Sequence, residues 1–123
     1  MLIGIGFEFV LGVACLLLIP VGRPDGWLPP QEKAVYVAHA SLGTILGAGG
    51  LFTLFVAQHS GRIVRMGTQI GSAGLLLGAS GGILAAFHPW RLTGIVLMLA
   101  GTFTALLGFF VPLLDQIPRE EFE

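Results

Sequence analysis

The stretch GIVLMLAGTFTALLGFFV, residues 94–111, contains no charged residue and no proline. A helix that crosses a hydrocarbon core of about 30 Å needs about 20 predominantly apolar residues. With the preceding residues from Trp90 this run reaches that length, and Thr93, Thr102 and Thr104 are its hydroxyl-bearing side chains. The stretch therefore predicts a membrane-spanning helix over Trp90–Val111.

The composition of the whole chain indicates the same environment. Of the 123 residues, 54% are hydrophobic and 11% are charged, and the mean hydropathy is +0.89. Soluble domains carry about 25% charged residues. The net charge is −1, and the lysines and arginines are scattered, so nucleic acid is not expected as a partner. The composition predicts an integral membrane protein.

Three further apolar runs are long enough to span a bilayer, and we place them at Leu2–Ile19, Ala34–Gln58 and Ile63–Phe87. Helix-breaking or turn-forming residues mark their ends: Pro20, Pro29, Pro30, Ser60, Gly61, Pro89 and Pro112. Short connections favour antiparallel neighbours. The prediction is one all-α domain, an up-down-up-down four-helix membrane bundle with both termini on one side and a polar tail at 112–123.

The chain has 19 glycines, and many of those in the predicted second, third and fourth helices follow helical spacing. Small residues spaced in this way let membrane helices approach closely. The candidate packing positions are Gly43, Gly47, Gly74, Gly78, Gly82, Gly94, Gly101 and Gly108. The pattern predicts close helix packing, either inside the chain or against a second subunit.

The positive-inside rule counts lysines and arginines near the ends of the spans, and here the two sides tie. Arg62 and Arg65 follow a very short turn, which favours cytoplasmic termini in a bacterial-type inner or plasma membrane. Trp27, Tyr36 and Trp90 fall on the opposite side from the termini, where they are expected to anchor the interface.

Glu8 interrupts the first apolar run and is the main candidate for a functional residue. Counted from the terminus side at 1.5 Å per residue, it lies on the order of 9 Å into the bilayer. The polar residues expected near that level are Thr53, Gln69, Ser72 and Thr104, with Arg62 and Arg65 at the rim. An intramembrane carboxylate is costly and often functional. Glu8 is therefore either a proton-exchanging or cation-binding group, or a structural group that holds helices together.

His39 and His88 come from different predicted helices at comparable depth, so haem or metal binding is an alternative for this end of the bundle. The alternative is weaker than an interfacial role, because HPW at 88–90 is a typical helix end and no further ligands accompany the two histidines. No cofactor is predicted. The chain has no GxSxG, HExxH, CxxC or GxxxxGK motif, so we expect no enzymatic activity.

Four helices, a glutamate in the first, and GIVLMLAG at 94–101 in the fourth resemble the small multidrug resistance transporters. The tied charge count is similar to that of the dual-topology members of that family. The chain departs from the family pattern in its third helix, where GSAGLLLGASGG at 71–82 lacks the aromatic signature. The resemblance covers only a short stretch, and we do not assign the chain to that family.

Two functional hypotheses follow from the sequence. The first is a small accessory or assembly subunit that associates through glycine-rich helix faces with itself or with a larger membrane complex. The alternative is an oligomeric proton-coupled transporter of a small molecule, in which Glu8 exchanges protons. In both cases the bilayer is the solvent, and a homo-oligomer or a larger complex is expected.

Overall fold

The computed structural model describes residues 1–18, 30–85 and 88–115. These residues form α-helices α1 (Leu2–Leu18), α2 (Pro30–Ala57), α3 (Arg62–Ala85) and α4 (Arg91–Asp115), and no strand occurs among them. A single 3₁₀ turn, His88–Trp90, precedes α4. The prediction of an all-helical chain with four helices is confirmed for the described part of the molecule.

The helix ends differ in detail from the predicted spans. Helix α2 begins at Pro30, as the prolines predict, because proline is well suited to the first helical position, where its missing N–H costs nothing; its candidate span begins at Ala34. It ends at Ala57, and the chain then turns with hydrogen bonds from the Gln58 amide to the Phe55 carbonyl and from the Ser60 amide to the Ala57 carbonyl. Ile19, Phe87 and the predicted breaker Pro20 lie outside the described residues.

Pro112 lies inside α4, although the sequence predicts that the helix stops before it. A proline in the last turn removes one backbone hydrogen bond, the bond that residue 112 would donate to the Gly108 carbonyl. The proline ring occupies the space beside Gly67, since a β-carbon at Gly67 would lie 2.7 Å from Pro112 Cδ and 2.7 Å from the Gly108 oxygen. Helix α4 therefore continues through Pro112 to Asp115 while its proline ring packs against α3.

Helices α3 and α4 make the most extensive contact in the described bundle. Each helix contacts two others: α1 packs on α2 and α4, and α3 packs on α2 and α4. Along the α3–α4 contact, rising residue numbers in α3 meet falling numbers in α4. The meeting positions are Gly67 with Gly108, Gly74 with Gly101, Gly81 with Gly94, and Gly71 with Phe109.

The α3–α4 contact brings backbone against backbone. A β-carbon added at Gly101 would lie 2.6 Å from the Gly74 carbonyl oxygen, and one at Gly94 would lie 2.6 Å from the Gly81 oxygen. Real β-carbons do not approach other atoms this closely. Only glycine therefore allows the present separation of the two helices, and their packing contributes dispersion contacts that lipid cannot replace.

A small apolar core fills the centre of the described bundle. Ile5 from α1, Leu46 from α2, and Ala105 and Phe109 from α4 are buried, and Leu75 from α3 packs against them. Nearby, the rings of Phe9 and Phe103 join α1 to α4 with their centroids 6.3 Å apart. Several hydroxyls, including those of Thr68 and Thr102, donate to the carbonyl four residues earlier in their own helix. Such bonds satisfy polar groups without water.

Large apolar side chains cover the outside of the bundle. Ile3 is 90% exposed, Leu92 is 76% exposed and Phe55 is 72% exposed. Three stretches are long and apolar enough to cross a membrane: Ala34–Ala57, Arg62–Ala85 and Arg91–Leu114. Helix α1 contributes a shorter apolar segment, Leu2–Cys15. Apolar residues on the outside and small residues between the helices are typical of a helical protein in lipid. The structure therefore supports the prediction of a small helical membrane protein.

The α3–α4 contact leads to a direct stability test. Gly101→Ala should destabilise the protein by about 3 kcal/mol, at the upper end of overpacking costs, because rigid backbone atoms face the added methyl group. Gly6→Ala in α1 is the matched control, since no atom lies within 4 Å of its β-carbon position. The control should be neutral or stabilising by up to about 1 kcal/mol. Both are measured by denaturation of the full chain in mixed detergent micelles, and equal effects would contradict the contact.

Candidate functional site

The main polar contact between helices in the described chain joins Glu8 of α1 to His39 of α2. Glu8 Oε1 lies 2.9 Å from His39 Nδ1. The side chains are 18% and 17% exposed, respectively, so the pair is mostly enclosed by protein. An acid and an imidazole placed this close in an apolar chain form the best candidate for a functional site.

Glycines on both helices make room for the pair. A β-carbon at Gly43 would lie 2.8 Å from Glu8 Oε1, and one at Gly12 would lie 3.3 Å from His39 Cε1. Each helix thus supplies one polar side chain and, four residues later, one glycine that accommodates the side chain of the partner helix. The stretches EFVLG at 8–12 and HASLG at 39–43 carry this reciprocal arrangement. A spacing of four places both residues on one helix face.

The contact between Glu8 and His39 leaves polar atoms unsatisfied. Although the 2.9 Å separation is within hydrogen-bond range, His39 Nδ1 forms no hydrogen bond of acceptable geometry with any described residue. We therefore describe the contact as a close polar approach, and not as an aligned hydrogen bond. Glu8 Oε2 is buried and also lacks a hydrogen-bond partner in the described part of the chain. This oxygen is able to carry a proton or to accept a hydrogen bond from an incoming donor.

The partners expected for Glu8 lie elsewhere in the structure. Gln69, Arg62 and Arg65 are exposed on α3, and the backbone of α1 does not approach that of α3 in the described residues. The depth estimate placed Glu8 level with them because it assumed that α1 begins at the same height as the α2–α3 turn. Instead, the side chain of Met1 packs against Gly49 and Gly50, and the Met1 methyl group is 3.6 Å from a β-carbon position at Gly49.

The offset of α1 explains why His39 is the neighbour of Glu8. Gly50 precedes the end of α2 at Ala57 by about 10 Å, at 1.5 Å per residue. The first turn of α1 is therefore level with the middle of α2, and Glu8 faces the half of α2 that is remote from the α2–α3 turn. The sequence does contain a signal for pairing Glu8 with His39. In both helices an ionisable residue stands four places before a glycine.

Thr53, Ser72 and Thr104 form hydrogen bonds away from Glu8. The Ser72 hydroxyl donates to the Gly50 carbonyl at 3.0 Å and so links α3 to α2. The Thr53 hydroxyl donates to the same carbonyl at 2.9 Å. The Thr104 hydroxyl donates to the Ala100 carbonyl of its own helix at 2.8 Å. The structure thus brings Thr53 and Ser72 together at Gly50, but it does not add them to the Glu8 site.

The remaining candidate positions separate into several groups. Gly74, Gly78, Gly94, Gly101 and Gly108 lie in the α3–α4 contact, and Gly43 faces Glu8, whereas Gly47 and Gly82 have no neighbouring atom within 4 Å. Tyr36 and Trp90 are exposed, and Trp27 lies outside the described residues. No cluster of three His, Cys, Asp or Glu side chains able to hold a metal occurs among the described residues. His39 lies beside Glu8, and the side chain of His88 lies outside the described part.

Comparison with protein-family models, with curated proteins and with solved structures finds no match to this chain.

The pairing of Glu8 with His39 is testable by a double-mutant cycle. Glu8→Ala and His39→Ala should each destabilise the protein by about 1–3 kcal/mol, because each change removes the close polar neighbour of a mostly enclosed ionisable side chain. The double variant should lose less than the sum, with a coupling energy of about 0.5–3 kcal/mol. The measurement is the unfolding free energy in mixed micelles.

The control cycle combines Glu8→Ala with Ser80→Ala. Ser80 is exposed on α3, donates only to the Leu76 carbonyl, and belongs to a helix whose backbone does not approach α1 in the described structure. These two changes should be additive within about 0.5 kcal/mol. Additivity in the Glu8–His39 cycle as well would show that the two side chains do not interact.

Proposed function

We propose that this chain is a small integral membrane subunit that acts by associating with other membrane helices, as a homo-oligomer or within a larger complex. The observation that carries the proposal is the distribution of apolar groups. Ile5, Leu46, Ala105 and Phe109 close the centre of the described bundle, whereas large apolar side chains cover its outside. The outer surface is thus the part available for interaction, and the described interior leaves little space for a substrate path.

The positions of the glycines indicate which part of the outer surface is available for association. Those of the α3–α4 contact are already engaged within the chain, so they do not recruit a partner. Gly47 on α2 and Gly82 on α3 have no atom within 4 Å of their β-carbon positions. Such flat positions allow a neighbouring helix to approach its partner closely. We propose that a second copy or a partner helix packs over these two positions.

We further propose an antiparallel, up-down-up-down arrangement with both termini on the cytoplasmic side of a bacterial-type inner or plasma membrane. The opposite running order of the α3–α4 contacts supports the antiparallel arrangement of those helices. The pairing of Met1 with Gly49 and of Gly12 with His39 supports it for α1 and α2. The exposed arginines Arg62 and Arg65 beside a short turn favour the cytoplasmic side for that turn.

The proposed topology is testable by cysteine labelling in a Cys15→Ser background, which removes the native thiol. Ser60→Cys and Trp90→Cys should be modified by a membrane-impermeant maleimide from opposite sides of the membrane. Intact cells should label only the variant at position 90, and inverted vesicles only the variant at position 60. Labelling of both positions from one side would contradict the antiparallel arrangement.

A second candidate function is a proton-coupled carrier, and the Glu8–His39 pair is the observation that favours it. The unpartnered Glu8 Oε2 and the neighbouring imidazole provide two groups between which a proton can move. One four-helix chain encloses little space, so transport would need at least a dimer with the site at or near the interface. The two candidates make different demands on Glu8. A carrier requires Glu8 to exchange protons, whereas an association subunit requires it only for helix packing.

Reconstitution and purification together distinguish the two candidates. For an association subunit, the wild type should elute from mild detergent with a partner or as an oligomer, and its proteoliposomes should show no proton flux above protein-free vesicles. Glu8→Gln should leave that association intact, because glutamine retains a carbonyl oxygen beside His39. Gln69→Leu, an exposed site on α3, serves as the control for loss of an intramembrane polar group.

The opposite result would support the carrier. In that case wild-type proteoliposomes move protons, Glu8→Gln reduces the flux at least tenfold, and Gln69→Leu does not. A chain that purifies alone and is strictly monomeric would overturn the association proposal, whatever its flux.

A further inference from the structure

The turn between α2 and α3 carries a compact group of basic side chains. Arg62 begins α3, Arg65 follows one turn later, and His59 lies in the turn itself. All three residues are exposed. Among the side chains that the structure describes, which do not include that of Asp115, Glu8–His39 is the only ion pair. The first turn of α3 contains no acidic residue.

An apolar surface continues directly from these basic residues along the outside of α3. At 100° per residue, Arg62, Arg65 and Met66 fall within about 100° of one another on the helix. Met66 is 47% exposed, and Ile70, one turn further from the α2–α3 turn, is 49% exposed. A cationic end above an apolar strip complements a molecule that has an anionic head and a hydrocarbon tail.

We propose that Arg62, Arg65 and His59 bind the phosphate headgroup of an anionic phospholipid, whose acyl chain lies over Met66 and Ile70. Guanidinium groups match phosphate well, since their planar N–H donors can form two parallel hydrogen bonds to its oxygens. The proposal requires only that the chain is inserted in a membrane, and it is independent of whether the chain is a subunit or a carrier.

An anionic lipid fits this surface better than an acidic protein segment does. A soluble acidic segment would contact the basic residues but would leave the adjacent apolar strip to the bilayer. A phospholipid satisfies both parts at once and is present at the interface where a turn between two spans must lie. Basic residues at such a position strengthen binding to anionic lipid by about fivefold each.

Lipid titration of the full chain in mild non-ionic detergent, followed by native mass spectrometry, tests the proposal. Phosphatidylglycerol should remain bound where phosphatidylcholine with the same acyl chains does not. The double variant R62Q/R65Q should lower the affinity for phosphatidylglycerol at least tenfold. Excess inorganic phosphate should leave the bound lipid in place, because the free ion has no acyl chain to contact Met66 and Ile70.

Arg91→Gln is the matched control, because Arg91 is also the first residue of a long helix but lies at the end of α3–α4 remote from Arg62. It should leave the affinity unchanged. R62K/R65K should lose only part of it, since charge remains but the planar donors do not. If the double glutamine variant does not retain helical content, the single variants carry the test, each with about a fivefold loss. Equal binding of both lipids, or an equal loss in Arg91→Gln, would overturn the proposal.

Discussion

Contact between the backbones of α3 and α4 is the constraint on which the rest of the described bundle depends. In lipid, apolar side chains gain little by leaving the bilayer for another helix, so helices associate through close van der Waals contact instead. Glycines at successive turns of α3 and at every second turn of α4 provide that contact, because carbonyl oxygens of the partner helix occupy the space of their missing side chains. Pro112 takes part in it, because its ring fills the space beside Gly67. The α3–α4 pair then presents a surface on which α2 and α1 pack.

The helices themselves could be predicted from the sequence, because burial in lipid imposes length and apolar character on each one independently. Runs such as 94–111 need no knowledge of their neighbours to be recognised. The exception is local. The continuation of α4 past Pro112 depends on how proline fits the last turn of a helix and on a glycine of another helix.

The candidate site could be predicted only in part, because its composition depends on the relative heights of two helices. Glu8 was identifiable as an acid in an apolar run, but its neighbour was assigned by counting residues from a common membrane surface. Since α1 is offset along α2, that count led to Gln69 and the arginines instead of His39. Helix offset is set by side-chain packing, here by Met1 against Gly49 and Gly50, and hydropathy contains no information about it.

The Ser72–Gly50 hydrogen bond and the Glu8–His39 contact have a joint consequence for motion in the molecule. Both involve α2, which therefore connects α1 on one side with α3 on the other. Local opening is cheapest where few contacts must be broken. The α1 amides should accordingly be the first to exchange their hydrogens with deuterium, followed by α2, while those of α3 and α4 retain their protons longest. The chain thus behaves as a rigid hairpin with a more weakly attached first half, and it is in that half that Glu8 and His39 lie.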